Sequence, residues 1–313
     1  LDRLARLATR PAIAEAIAAV CAEAPAPSPA ITAAALDVMA AARVSAVPDS
    51  WVAALRKIVE ATAARSAVPA GGPGDRGEGT EAVFTAALET LGSLPLSESQ
   101  RGRVRPILWT LAADPKLPTP ECLRAIAAAD SPKTVPDAVL RRLIAILATG
   151  LDPADPGDRG SPLDRTAAAT TLAAAAVPDT LWTAVATMFD RLPGSEVAVL
   201  LPAVSNRGGR PLTIAIERLA TRSRFAAVPR GVLEAAVAAV PAELKPRGES
   251  LLARFDAARR SSRQTFLRFA ASLPEGDASR GHAVFYSNKA ACTTCHALAY
   301  AGGRVGPDLT GIG

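Results

Sequence analysis

Aromatic residues are scarce in this chain: three Trp, two Tyr and seven Phe make up 4% of 313 residues. Its 49% hydrophobic content therefore has to build a core mainly from aliphatic side chains. Alanine is the best helix former and small side chains let helices approach closely, so the expectation is an all-helical fold. Histidine is scarcer still, with only His282 and His296. With so few, no Ser-His-Asp set stands out, and no P-loop pattern is present either. Long apolar runs are also missing. The longest weakly polar stretch, TAAATTLAAAAV at 166–177, falls short of the ~20 residues that span a bilayer. The chain opens on Leu1, and Glu15 interrupts the apolar segment after Pro11, so no secretory signal is expected in this stretch; it reads as a fragment, and that absence says nothing of compartment.

Charge of one sign does not dominate. Lys and Arg number 35 against 30 Asp and Glu, for a net +5 and a pI near 9.3. The densest basic run is RFDAARRSSRQTFLRF, with Arg254, Arg259, Arg260, Arg263 and Arg268. A nucleic-acid binder calls for a broader basic stripe with interleaved aromatics, so this run reads as a solvated helix face and nucleic acid is not an expected partner.

What is present is a repeated phrase. AVPDSWVAAL begins at Ala46, TVPDAVLRRL at Thr134, AVPDTLWTAV at Ala176 and AVPRGVLEAA at Ala227, with a looser version, SLPLSESQRGRV, at Ser93. The start-to-start steps are 47, 41, 42 and 51 residues. A period in this range, with two helices per unit, is the signature of HEAT-like repeats, each of which buries its apolar face on the next. Some fourteen helices in six or seven pairs are expected on that pattern. Asp49, Asp137 and Asp179 read as N-caps, Ser97 with Gln100 as a capping box, and Thr119 as a cap ahead of Pro120 and Glu121. The 26 prolines are expected mainly at helix starts and in loops. PAGGPGDRGEG (69–79) and DPADPGDRGSP (152–162) read as loops. The second holds Asp152, Asp155 and Asp158 but lacks the spacing of a calcium loop. The last repeat helix is expected to end near Leu273, with a hinge or a new helix start in PEGDASRG (274–281).

Beyond that point lies ACTTCHALAYAGGRVGPDLTGIG, with Cys292, Cys295 and His296 in Cys-x-x-Cys-His spacing. This is the c-type haem attachment pattern. Two thiols three residues apart on a helical turn can each form a thioether on one edge of a porphyrin, and the next residue projects its imidazole along the iron axis. A zinc site needs about four ligands, and only His282 could be added, beside an adjacent Cys295–His296 pair. A thioredoxin-like dithiol needs a βαβ context, whereas a Cys292–Cys295 disulfide stays open as an alternative when haem is absent.

The flanks extend the pattern. Gly281 and Phe285 precede the motif as Gly-x-x-x-Phe, and Gly306, Pro307 and Leu309 follow it as Gly-Pro-x-Leu. RGHAVFYSNKAACTTCHALAYAGGRVGPDLTGIG thereby resembles the first half of a class I cytochrome c. Asp308 and Gly311 narrow the resemblance to the planctomycete-type (PVC-type) haem-binding CxxCH proteins, over about residues 279–313. In that family a helical-repeat region commonly precedes the cytochrome domain. The resemblance implies haem c tethered by Cys292 and Cys295, with His296 as proximal iron ligand. It also implies a Pro307 carbonyl that accepts the His296 Nδ1 proton, and Leu309 and Phe285 packed around the haem. It further implies an extracytoplasmic, periplasmic setting.

The chain is thus expected to be an all-α HEAT-like solenoid over 1–273, followed over 274–313 by the N-terminal half of a c-type cytochrome domain. Residues 279–313 alone are too few to bury a core. The distal ligand is expected beyond Gly313. Met39 and Met188 read as core residues and His282 as an ordinary histidine. Cys21 and Cys122, about two repeats apart, read as small buried hydrophobes with no disulfide between them. The expected function is one-electron transfer, as part of a larger oxidoreductase rather than as a catalyst by itself. The repeats would link the haem to a dehydrogenase-like domain or a redox partner protein. The alternatives are an interaction scaffold with a secondary haem segment, and a haem enzyme with an open distal site.

Overall fold

The structure is a computed structural model, and it describes residues 2–22, 28–66, 78–151, 161–222, 225, 227–299, 301–303 and 306–311. The described residues are mostly helical, so the expected all-α class holds. In chain order the helices are α1 (Asp2–Leu7), α2 (Pro11–Ala22), α3 (Pro29–Ala41), α4 (Asp49–Ser66) and α5 (Glu78–Ser93). Then come α6 (Glu98–Ala113), α7 (Thr119–Ala129), α8 (Asp137–Ala148), α9 (Pro162–Ala174) and α10 (Asp179–Ala186). They are followed by α11 (Gly194–Arg207), α12 (Gly209–Thr221), α13 (Arg230–Ala238), α14 (Lys245–Ser272) and α15 (Ala278–Phe285). Among the described residues the only strands are β1 (Ala297–Leu298) and β2 (Ala301–Gly302), an antiparallel pair. Contacts divide the chain into two compact units, Leu1–Phe255 and Asp256–Gly313, with the boundary inside α14.

In the first unit the helices pack by alternation. Helix α1 contacts α3, which contacts α5, and the series continues through α7, α9 and α11 to α13. In parallel, α2, α4, α6, α8, α10 and α12 form a second series. Neighbours in the chain bridge the two layers, as α2 with α3, α4 with α5, α6 with α7 and α8 with α9. The space between is filled by aliphatic residues and a few large anchors: Trp51, Trp182, Phe189 and Phe255 are all nearly inaccessible. Trp51 donates its indole N–H to the Ala14 carbonyl at 2.9 Å, which lets the polar end of a buried ring keep a partner. Met39 and Met188 are buried, as expected.

Each repeated phrase begins a helix: α4, α8, α10 and α13, and in its looser form α6. The long final step, from Ala176 to Ala227, contains α11 and α12 after α10, one helix more than the other steps. The phrase at Ala227 therefore starts α13 in the opposite layer from α4, α6, α8 and α10. Where α13 meets α14, Gly248 lies so close that a Cβ there would stand 2.6 Å from Val237 Cγ1.

The capping box holds: Ser97 Oγ accepts from the Gln100 N–H at 3.2 Å, and Gln100 Oε1 accepts from the Ser97 N–H at 3.0 Å. The aspartate caps need correction. Pro136 and Pro178 occupy the cap positions, and Asp137 and Asp179 are the first helical residues without a capping bond. Asp49 likewise opens its helix. These carboxylates act by charge on the helix dipole. Thr119 is also a first helical residue, behind Pro118. Pro106 and Pro202 lie inside α6 and α11, two exceptions to the expected placement of prolines mainly at helix starts and in loops. The segment 69–79 runs into α5, which takes in Glu78 and Gly79; residues 69–77 lie outside the described residues. Asp152, Asp155 and Asp158 also lie outside them.

The second unit holds the distal part of α14, which ends at Ser272, then α15 and the Cys-His segment. Among its described residues none is buried. Phe266, Leu267, Phe269, Leu273 and Val284 are all more than half exposed.

Candidate cofactor site

Asp277 caps α15 by accepting the Arg280 N–H at 3.0 Å. The helix ends at Phe285, and Tyr286 takes its C-cap position. The next turn leads to Ala291, whose φ of 53° is left-handed. That reversal starts the 3-10 turn Cys292–Thr294. The His296 N–H donates to the Cys292 carbonyl at 3.0 Å, closing one helical turn. Both thiols and the imidazole thus belong to a single turn. Both thiols are free, Cys292 half-buried and Cys295 exposed.

The chain then doubles back over this turn, and glycines make that possible. A Cβ at Gly302 (φ 117°) would collide with the His296 carbonyl, and one at Gly303 with the Thr294 carbonyl. At Gly306 a Cβ would stand 2.6 Å from His296 Cε1 and 2.7 Å from Nδ1. The close approach is held by three backbone bonds: Gly303 N–H to Thr293 O at 2.7 Å, Gly306 N–H to Cys295 O at 2.6 Å, and Leu309 N–H to Ala297 O at 2.9 Å.

This doubling-back sets Pro307 O 2.9 Å from His296 Nδ1. A carbonyl oxygen can only accept, so Nδ1 carries the proton of the neutral ring and the Nε2 lone pair is the one left for a metal. The loop is tied again beyond Pro307. Asp308 Oδ1 accepts from the Thr310 N–H at 2.8 Å and its hydroxyl at 2.5 Å, and Thr310 Oγ1 accepts from the Ala299 N–H at 2.8 Å. Tyr286 braces the other side by donating its hydroxyl to the Leu298 carbonyl at 2.6 Å.

The structure thus brings Cys292, Cys295, His296 and Pro307 together, with Leu309 anchored by its backbone. Leu309 and Phe285 are half-exposed, and Phe285 meets Tyr286 edge-on with ring centroids 5.2 Å apart. His282 is exposed and lies against Tyr286 at 4.6 Å between ring centroids. Sequence reasoning did not single out Gly302, Gly303, Tyr286 or Thr310. The glycine pair was a usable signal, because adjacent glycines often mark a close backbone approach.

Among the described residues no group of three or more His, Cys, Asp or Glu side chains is gathered as a metal cage. Two free thiols and one tautomer-fixed imidazole on a single turn fit a covalently tethered haem better than a four-ligand zinc site. Cys21 and Cys122 are buried and free, and burial pushes both thiols up to about 11. Cys122 Sγ donates to the Ala112 carbonyl at 3.3 Å. The chain matches no protein-family model, no curated protein and no solved structure.

Proposed function

We propose that this chain binds haem c covalently through Cys292 and Cys295 and serves one-electron transfer. In this reading it is a planctomycete-type haem-binding CxxCH protein, with HEAT-like repeats as the scaffold. The observation that carries the proposal is the bond from His296 Nδ1 to the Pro307 carbonyl, directly behind a Cys-x-x-Cys-His turn. That bond holds the proton on Nδ1 and orients the ring, so the Nε2 lone pair of His296 would be available to bind the haem iron without first reorganising. Cys292 and Cys295 would hold the haem through thioether bonds, each thiol's sulfur going to one vinyl carbon and its hydrogen to the neighbouring carbon, so attachment would need no external oxidant. When bound, haem supplies an iron that cycles between the ferrous and ferric states. Leu309 and Phe285 are proposed to pack around it, and the attachment chemistry points to an extracytoplasmic compartment. The helical unit is proposed to hold the site near a dehydrogenase-like domain or a redox partner protein.

The test is to express the full chain together with a cytochrome c maturation system. A pyridine haemochrome band should remain with the chain after denaturation and acid–acetone extraction, and the intact mass should rise by one haem. Cys292→Ala with Cys295→Ala should abolish both signals. Stoichiometric zinc with no covalent haem would overturn the proposal.

A further inference from the structure

Where the chain returns over the Cys-His turn, it forms an ordered ladder. Residues 295–299 and 306–310 run side by side in the same direction, joined by four hydrogen bonds in sequence. The Gly306 N–H donates to Cys295 O at 2.6 Å, and His296 Nδ1 lies 2.9 Å from Pro307 O. The Leu309 N–H then donates to Ala297 O at 2.9 Å, and the Ala299 N–H to Thr310 Oγ1 at 2.8 Å. Partners stand eleven residues apart in the first, second and fourth rungs and twelve apart in the third. Asp308 is thus the residue passed over. Its side chain turns along the chain instead, where Oδ1 accepts both the N–H and the hydroxyl of Thr310.

Two features tie the last rung to His296. Pro307 has no N–H with which to fasten its own backbone to the opposite segment, so the rungs before and after it set where its carbonyl lies. The last of those rungs is the one made by a side chain. Its partner Ala299 has a φ of 49°, a left-handed conformation that alanine rarely adopts and that persists only where the surroundings fix it. Thr310 fixes it with a directed bond. A threonine hydroxyl has one proton and two lone pairs. Asp308 takes the proton in a charge-assisted bond, which leaves Oγ1 to turn a lone pair toward the Ala299 N–H.

We infer that Thr310, oriented by the Asp308 carboxylate, is a positioning residue for His296: it closes the ladder and so keeps the Pro307 carbonyl on Nδ1. Its bearing on haem rests on His296 being the proximal ligand, as proposed above, whereas its bearing on the ring does not. The first readout is therefore the haem-free full chain, carrying 15N-labelled histidine at a mildly alkaline pH where the rings are neutral. The chain has only two histidines, and His282→Gln leaves the His296 signals alone.

The unaltered ring should give a pyrrole-type Nδ1 and a pyridine-type Nε2. Thr310→Val keeps the bulk and loses the hydroxyl, and it should move both signals toward those of an imidazole exchanging between tautomers. Thr310→Ser keeps the hydroxyl and should restore them. Asp308→Ala should match Thr310→Val, and the double variant should be no worse than either, because residues acting as one unit are not additive. With a maturation system present, covalent haem yield should fall about tenfold in Thr310→Val and recover in Thr310→Ser. Ring signals that stay in place in Thr310→Val overturn the inference. So does a Thr310→Ser chain that behaves like Thr310→Val, since the methyl group rather than the hydroxyl would then matter. Additive losses in the double variant would separate Asp308 from Thr310 and overturn the orienting role of the carboxylate. The ring signals need no haem, so a chain that takes up none counts against the proposed function, and signals that do not move count against Thr310.

Discussion

Gly306 decides whether His296 can keep its tautomer. A methyl group there would meet the imidazole at 2.6–2.7 Å, so Gly306→Ala must push the ring or the loop away and break the bond to Pro307. Loss of such a partner costs about 10–100-fold in the function of a metal-ligating histidine. The covalent haem yield of Gly306→Ala is expected to fall accordingly, and the imidazole 15N shifts of the haem-free chain should lose the Nδ1–H signature. The four thiols should divide by burial. Cys21 and Cys122 are raised to about 11, which leaves roughly a hundredfold less thiolate at neutral pH than an ordinary cysteine has. Iodoacetamide should label Cys292 and Cys295 in the folded, haem-free chain, and all four only after denaturation. An unfolded thiol releases its proton near its ordinary value while the buried one keeps it up to about 11. Stability should therefore be constant at neutral pH and fall as the pH rises through that window. At this scale the motif residues were legible because Cys, His and Pro carry distinctive chemistry. Gly302 and Gly303 left a weaker signal as an adjacent pair, and Tyr286 left none, because its hydroxyl bond to Leu298 spans the fold-back and a local pattern does not encode it.

Helix starts were legible for a similar reason, since a proline before an acid or a serine is a local signal. The device that each start uses was less so. At α6 the sequence pattern and the bonds agree, and Gln100 adds two long-range contacts, donating to Val47 O and to Asp49 Oδ1 at 2.8 Å each. Ser97→Ala should cost about 1 kcal/mol, as cap losses do. Gln100→Ala should cost more, about 2 kcal/mol, because it also strands the Val47 carbonyl. Urea unfolding at unchanged m-value would measure both. At α4 the Arg103 guanidinium, with the Gln100 amide, holds the Asp49 carboxyl below the usual carboxylate range. This support is present at neutral pH and is lost as the pH falls through and below that range, and its size is small because the group is exposed. Pro106 and Pro202 escaped notice because the surrounding packing outweighs proline's dislike of helix interiors, and packing is a tertiary property.

Over the whole molecule, burial is unequally distributed. The first unit owns every buried side chain among the described residues, and the second owns none. Limited proteolysis of the haem-free chain should cut within 278–313 first, and deleting those residues should leave the unfolding midpoint of the remainder unchanged. A lowered midpoint would mean that the terminal segment stabilises the rest. The helix-pair period was legible, but the alternation was not, because a phrase that starts helices does not say which layer receives them. That alternation gives the first unit a parity. Excising two consecutive helices, such as α11 with α12, returns every later helix to its own layer with its apolar face turned inward. Excising α12 alone would send α13 and all that follows to the wrong side. Lengthening or shortening such a chain without moving later helices to the other layer thus calls for even numbers of helices.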